Sequence, residues 1–132
     1  MLNFGRLLSY PLKFKNLTNR ISQVQISNIS IRYLEDHKLY NVSAIANGHQ
    51  VFIQIYGDKI SVKSPVKLYC DCDFFKYNLA YALYKQDSLL YPENFILTPP
   101  KKKNTSLTLS GCKHIILVAQ SVWANKNIQD DA

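Results

Sequence analysis

Between residues 21 and 69, apolar side chains alternate with polar ones in short runs, the period of two that predicts strands. Val24, Ile26, Ile29 and Ile31 keep that alternation only with a break, so the first strand is expected to bend. The runs 40–45 and 51–56 flank Asn47-Gly48, a pair suited to a tight hairpin because both residues tolerate positive φ. Gly57-Asp58 marks the next turn. Residues 60–63 start a further strand, which Ser64-Pro65 interrupts before the run 66–69. Three or four antiparallel strands are expected.

Beyond Cys72 the period changes. Asp73 is placed to cap a helix over residues 74–86. At 100° per residue, Phe75, Leu79, Ala82 and Leu83 make one apolar stripe, and Tyr77, Tyr81 and Tyr84 make a second on the opposite side. The first stripe can pack on the sheet. The second needs other cover, from residues 87–109 or from another protein. Residues 87–110 read as an irregular loop rich in Pro, Asn and Lys, and loops of this length are functional, mobile or held by something. A last helix is expected over 113–125, with Ile115, Val118, Ala119 and Val122 on one face and a frayed tail over 127–132. Residues 1–20 mix Leu7, Leu8, Leu12, Phe14 and Leu17 with basic residues, and Pro11 forbids a long helix there. They predict a helical turn and an extended arm that docks on its own domain or on a partner chain. The pattern as a whole predicts an α+β fold: a small antiparallel sheet with two helices.

The length of 132 residues suits one domain, placed over 21–126, with a single modest core. No stretch is apolar enough to span a bilayer, and the opening residues lack the charged start and long apolar run of a signal peptide. A protein made and kept in a cytoplasm is expected. A net charge of +7 suits anionic partners, nucleic acid or an acidic protein surface.

Three cysteines cannot all pair with one another, and a disulfide framework is not expected in a cytoplasm. Their spacing points to a metal. Cys70-Asp71-Cys72 is followed, after a long excursion, by Cys112-Lys113-His114. Zinc takes four N or S ligands tetrahedrally, which puts two sulfurs on one ion ~3.8 Å apart. Residues i and i+2 of a strand face the same way with Cα atoms about 6.5 Å apart, so a small inward lean makes Cys-x-Cys a two-point chelator. Cys-x-His cannot chelate inside a helix, where i and i+2 diverge by about 200°. Cys112 must therefore precede the last helix, with His114 in its first turn and Gly111 permitting a close approach. Four ligands leave no open position, so one structural Zn²⁺ is expected, joining the end of the sheet to the last helix. An iron–sulfur cluster on the same ligands is the alternative metal reading.

Cys-x-Cys followed by Cys-x-His, with a strand before and a helix after, resembles the SWIM-type zinc finger. The likeness is closer to the small SWIM-containing proteins encoded by tailed bacteriophages. It rests on the run 74–84 (Phe-Phe-Lys-Tyr-Asn-Leu-Ala-Tyr-Ala-Leu-Tyr), on the loop 99–104 (Pro-Pro-Lys-Lys-Lys-Asn) and on Gly111-Cys112-Lys113-His114. It covers about residues 60–124. Asp73 stands where a Pro is usual, and both suit a helix start. The resemblance implies a virion structural protein that contacts neighbouring virion proteins, made in the host cytoplasm and located in the particle.

Lys101, Lys102 and Lys103, with Lys63, Lys67 and Lys113, are candidates for a phosphate-contacting patch, which makes a nucleic-acid-binding or regulatory protein the second functional reading. Tyr77, Tyr81 and Tyr84 are candidates for a protein interface. His37 and His49 sit near turns with no partner motif and are expected on the surface. Neither a phosphate loop nor a paired-carboxylate motif nor a Ser/His/Asp spacing appears, so no enzyme activity and no small-molecule substrate are expected.

Overall fold

The computed structural model describes residues 1–9, 24–101, 104 and 107–130, with side chains up to residue 125. Four strands form one antiparallel sheet in the order β1 (Ile26–Leu34), β2 (Leu39–Ala46), β3 (His49–Tyr56) and β4 (Val66–Cys70). The predicted hairpin is present: β2 and β3 pair from Leu39↔Tyr56 to Ala46↔His49. Asn47 and Gly48 both take positive φ, +51° and +80°, at its turn. The expected bend in β1 is a bulge between Ser27 and Ser30, where Asn28 has φ +53°.

Alternation fixes which face is buried. Val42, Ala44, Val51, Ile53, Ile55, Val66 and Leu68 all point to one side and are buried. Helix α2 covers part of that side. It begins as a π-helical turn over Phe75–Leu79 and continues as regular helix over Ala80–Lys85. Phe75, Leu79, Ala82 and Leu83 are buried, as their stripe predicts. Helix α3 (Lys113–Asp130) buries Ile115, Val118, Ala119 and Val122 as expected, and Ile116 as well. Ile116 is covered because α3 packs between the sheet and the N-terminal helix. The helix also outruns its expected end at 125, since no Gly or Pro stands in residues 126–130 to stop it. Among the described residues no helix is long and apolar enough to cross a membrane.

The first nine residues take the first of their two expected placements and pack on the domain itself. Helix α1 (Phe4–Ser9) and the residues before it put Leu2, Phe4 and Leu7 fully into the core, with the Phe4 ring 5.9 Å from that of Trp123. Residues 10–20 of the expected arm lie outside the described residues. Residues 60–63, expected as a strand, form a tight loop instead. The buried Ser64 hydroxyl accepts from the Ser61 N–H at 3.0 Å and donates to the Lys59 carbonyl at 3.3 Å, which closes the chain on itself. The Val62 and Ser64 carbonyls accept from Gly5 and Phe4 N–H groups, each at 2.8 Å. These carbonyls satisfy free donors at the start of α1 rather than a sheet neighbour.

Candidate metal centre

The two halves of the ligand motif reach one point through different local structures. Cys70 is the last residue of β4, opposite Val51 of β3, and points to the buried face. Cys72 has already left the strand. Its carbonyl accepts from the Lys76 N–H at 3.0 Å, and its Sγ accepts from the Phe75 N–H at 3.5 Å. Cys72, not Asp73, is therefore the N-cap of α2. Asp73 falls at the first helical position, where Pro is also favoured and where a carboxylate suits the helix dipole.

Cys112 repeats the arrangement at α3. Its carbonyl accepts from the Ile116 N–H at 2.9 Å, and His114 follows in the first turn, as the spacing demands. Gly111 makes this possible. A Cβ there would lie 2.7 Å from Ile115 Cγ2 and 3.1 Å from Leu7 Cδ1, so any larger residue would push α1 and α3 apart. Two helix N-termini thus face the same cluster, each with its positive dipole end toward a cysteine sulfur.

Cys70, Cys72, Cys112 and His114 are all buried, and their donor atoms lie within 4.8 Å of one another. His114 presents Nδ1, 3.8 Å from both Cys70 Sγ and Cys112 Sγ. A tetrahedral ion with metal–sulfur bonds near 2.3 Å and a metal–nitrogen bond near 2.0 Å needs S···N edges of about 3.5 Å. The donor set fits one four-coordinate metal ion, and the three cysteines are free of disulfides. The site links the end of the sheet to the C-terminal helix.

Electrostatics divide the three sulfurs. Hydrogen bonds from Cys112 and Cys70, with smaller help from His114 and the Phe75 N–H, hold the Cys72 thiol far below the ordinary range despite burial. The hydrogen bond with Cys112 pulls Cys70 down. Donation to Cys72 and burial outweigh it, pushing Cys70 up to about 12. Burial, followed by the hydrogen bonds with Cys70 and Cys72, raises Cys112 well above its usual value. Of the three sulfurs, Cys72 is the one whose surroundings favour the thiolate, while burial favours the thiol at Cys70 and Cys112.

A second layer escaped the sequence reading. His49 is at the surface as expected, its side chain 42% exposed, but it has a partner the sequence did not show: its ring lies 4.8 Å from that of His114. Its Nδ1 lies 2.8 Å from Asp71 Oδ1, which also accepts from the Gln50 N–H at 3.2 Å. Asp71 is the residue between the two cysteines. Extending the β3–β4 register beyond Val51↔Cys70 places Gln50 opposite Asp71 and His49 opposite Cys72. That register was the missing signal.

The remaining candidates stay apart from this cluster. Tyr77 and Tyr84 are 62% and 50% exposed on α2, and Tyr81 is half-buried. The 87–110 loop reaches α2 at Asn78, whose carbonyl accepts from Asn104 Nδ2 at 2.8 Å. Lys101 is exposed, while Lys102 and Lys103 lie outside the described residues. Lys67 pairs with Asp87 at 3.3 Å. No protein-family model, curated protein or solved structure matches the chain.

Proposed function

We propose that Cys70, Cys72, Cys112 and His114 hold one Zn²⁺ as a structural staple, and that the staple presents protein-binding surfaces for assembly of a tailed-bacteriophage particle. The observation that carries the zinc reading is the closed donor set: four buried ligands leave no position for substrate or water, so the ion holds the fold rather than performing chemistry. Three thiolates and one imidazole suit zinc, which binds softer N and S donors in tetrahedral sites. The four ligands fix the two helix starts to the end of β4, and the ion supplies the cross-link.

The assembly reading rests on the resemblance of Cys70–Cys72, the aromatic run 74–84 and Gly111–His114 to the small SWIM-type proteins of tailed phages. The exposed rings of Tyr77 and Tyr84 support it, since large aromatic side chains with a polar tip are enriched at protein interfaces. The partners in this reading are neighbouring virion proteins.

Two measurements test it. Elemental analysis of the purified protein should return one zinc per chain and a colourless spectrum; a brown protein with bound iron would replace zinc by a cluster. Quantitative mass spectrometry of purified particles should find the chain in stoichiometric copies, and its absence from particles would overturn the assembly role.

A further inference from the structure

The face of the sheet turned away from the helices carries a groove of about 270 Å³. Its floor follows from strand pairing. Arg32 of β1 lies opposite Asn41 of β2, and Asn41 lies opposite Gln54 of β3, so these three side chains form one row across the sheet. The neighbouring row on the same face contains Ser43, Phe52 and Tyr69. Tyr91 walls one side. Its ring meets Phe52 and Tyr69 nearly edge-on, with centroids 5.7 and 5.5 Å away.

The backbone of Tyr91 is left-handed, φ +52° and ψ +54°, a conformation that aromatic L-residues rarely adopt. The chain before it is tied to β4, where the Leu90 N–H donates to the Leu68 carbonyl at 2.8 Å. The turn after it is closed by the Asn94 N–H on the Tyr91 carbonyl at 3.0 Å. An unfavourable backbone thus holds Tyr91, a residue still 42% exposed, at the lip of the groove.

The lining selects a ligand by chemistry. No carboxylate lines the groove, and Arg32 forms no ion pair among the described residues, so an anionic group is favoured there. The Asn41 carboxamide offers a paired donor and acceptor to the edge of a planar heterocycle, and Gln54, whose Oε1 already accepts from the Tyr56 hydroxyl at 3.0 Å, offers its amide N–H groups beside it. The Phe52 and Tyr91 rings stand at 82° to one another, so a heterocycle can stack flat on one of them and meet the other at its edge. A neutral sugar would leave the guanidinium unused, and an acidic peptide would leave the aromatic wall unused. We propose that this groove binds a nucleotide unit, its base against Tyr91 and Phe52 and its phosphate on Arg32. Exposed aromatic rings on an open four-stranded sheet are a recurring way to hold unstacked bases, and the basic chain favours approach of a polyanion. The site is distinct from the lysine loop and does not depend on the assembly role.

The test uses the metal-loaded full chain. A short fluorescein-labelled oligouridylate is titrated by anisotropy, and uridine monophosphate by calorimetry. A DNA duplex and a neutral oligosaccharide serve as comparisons. The single-stranded or free nucleotide should bind, and the two comparisons should bind at least tenfold more weakly. Tyr91→Asn removes the ring while keeping a residue that tolerates left-handed backbone, and Arg32→Gln removes the charge at an exposed position. Each should weaken binding roughly fivefold or more, with metal content and melting temperature unchanged. Tighter binding of the oligomer than of the monophosphate identifies a single strand as the ligand, and equal affinity identifies a free nucleotide; either supports the site. Absence of binding, stronger binding of the oligosaccharide, or affinity unaffected by both substitutions would overturn it.

Discussion

Removing the metal should cost the fold a definite and local amount. In the proposed centre the ion would join Cys70 and Cys72 to Cys112 and His114, and α2 together with the whole 87–110 loop lies between them. A cross-link closing a loop of about 40 residues removes roughly 4 kcal/mol of chain entropy from the unfolded state. A ΔΔG of that size is a large share of the ~5–15 kcal/mol that holds a typical domain together. For a chain of this length it should lower the melting temperature by roughly 12–15 °C. The damage should be uneven. The β2–β3 hairpin has eight consecutive pairs and no metal ligand, whereas the starts of α2 and α3 are capped by the ligands Cys72 and Cys112. Thermal denaturation followed by circular dichroism, with and without a strong zinc chelator, gives the magnitude. Amide hydrogen exchange gives the location: protection should fall in residues 72–80 and 107–116 and persist in 39–56. Cys112→Ser should reproduce the chelator's effect. A melting shift below ~3 °C, or loss of protection spread evenly over the hairpin, would refute the staple.

Metal binding should release about two protons per ion near neutral pH, because burial favours the thiol form of Cys70 and Cys112 while hydrogen bonds favour the Cys72 thiolate. Affinity should accordingly rise with pH, and calorimetry in buffers of different ionisation enthalpy counts the protons; a count near zero would contradict the charge distribution. His49→Ala removes the ring lying against His114 and should speed metal transfer to a chelator roughly tenfold, measured by stopped-flow absorbance. Gly111→Ala should destabilise the protein by about 1–3 kcal/mol through its clash with Ile115, read from chemical denaturation. Tyr77→Ser and Tyr84→Ser should change stability by less than ~0.5 kcal/mol yet reduce incorporation into particles, and unchanged incorporation would count against that face as the interface.

Much of the metal centre was legible because each half of the motif is local. Cys-x-Cys and Cys-x-His each limit the backbone that can bring their donors together, and Cys112 and His114 stand where that limit puts them. For Cys72 the same reasoning found the ligand but misplaced its setting. It serves as the cap of α2 rather than as the end of a strand, and this displaced Asp73 from the capping role. His49 and Asp71 were missed for a different cause. Their meeting depends on the register of β3 against β4, a relation between segments that no local pattern encodes.

The sequence by itself determined the four candidate ligands, the hairpin at Asn47-Gly48 and the buried stripes of both long helices. These follow from spacing, turn chemistry and periodicity among near neighbours. Only the tertiary structure decided that residues 60–63 turn rather than pair, that Leu2, Phe4 and Leu7 complete the core, and that Tyr91 closes a groove on the open face of the sheet. The physical reason is common to all three. Residues 60–63 alternate like a strand, but Ser61 and Lys63 bond within the turn and the Val62 carbonyl accepts from Gly5 of α1, far away in the chain. A period tells a segment which face to bury; the partner that satisfies its backbone is fixed when distant segments meet.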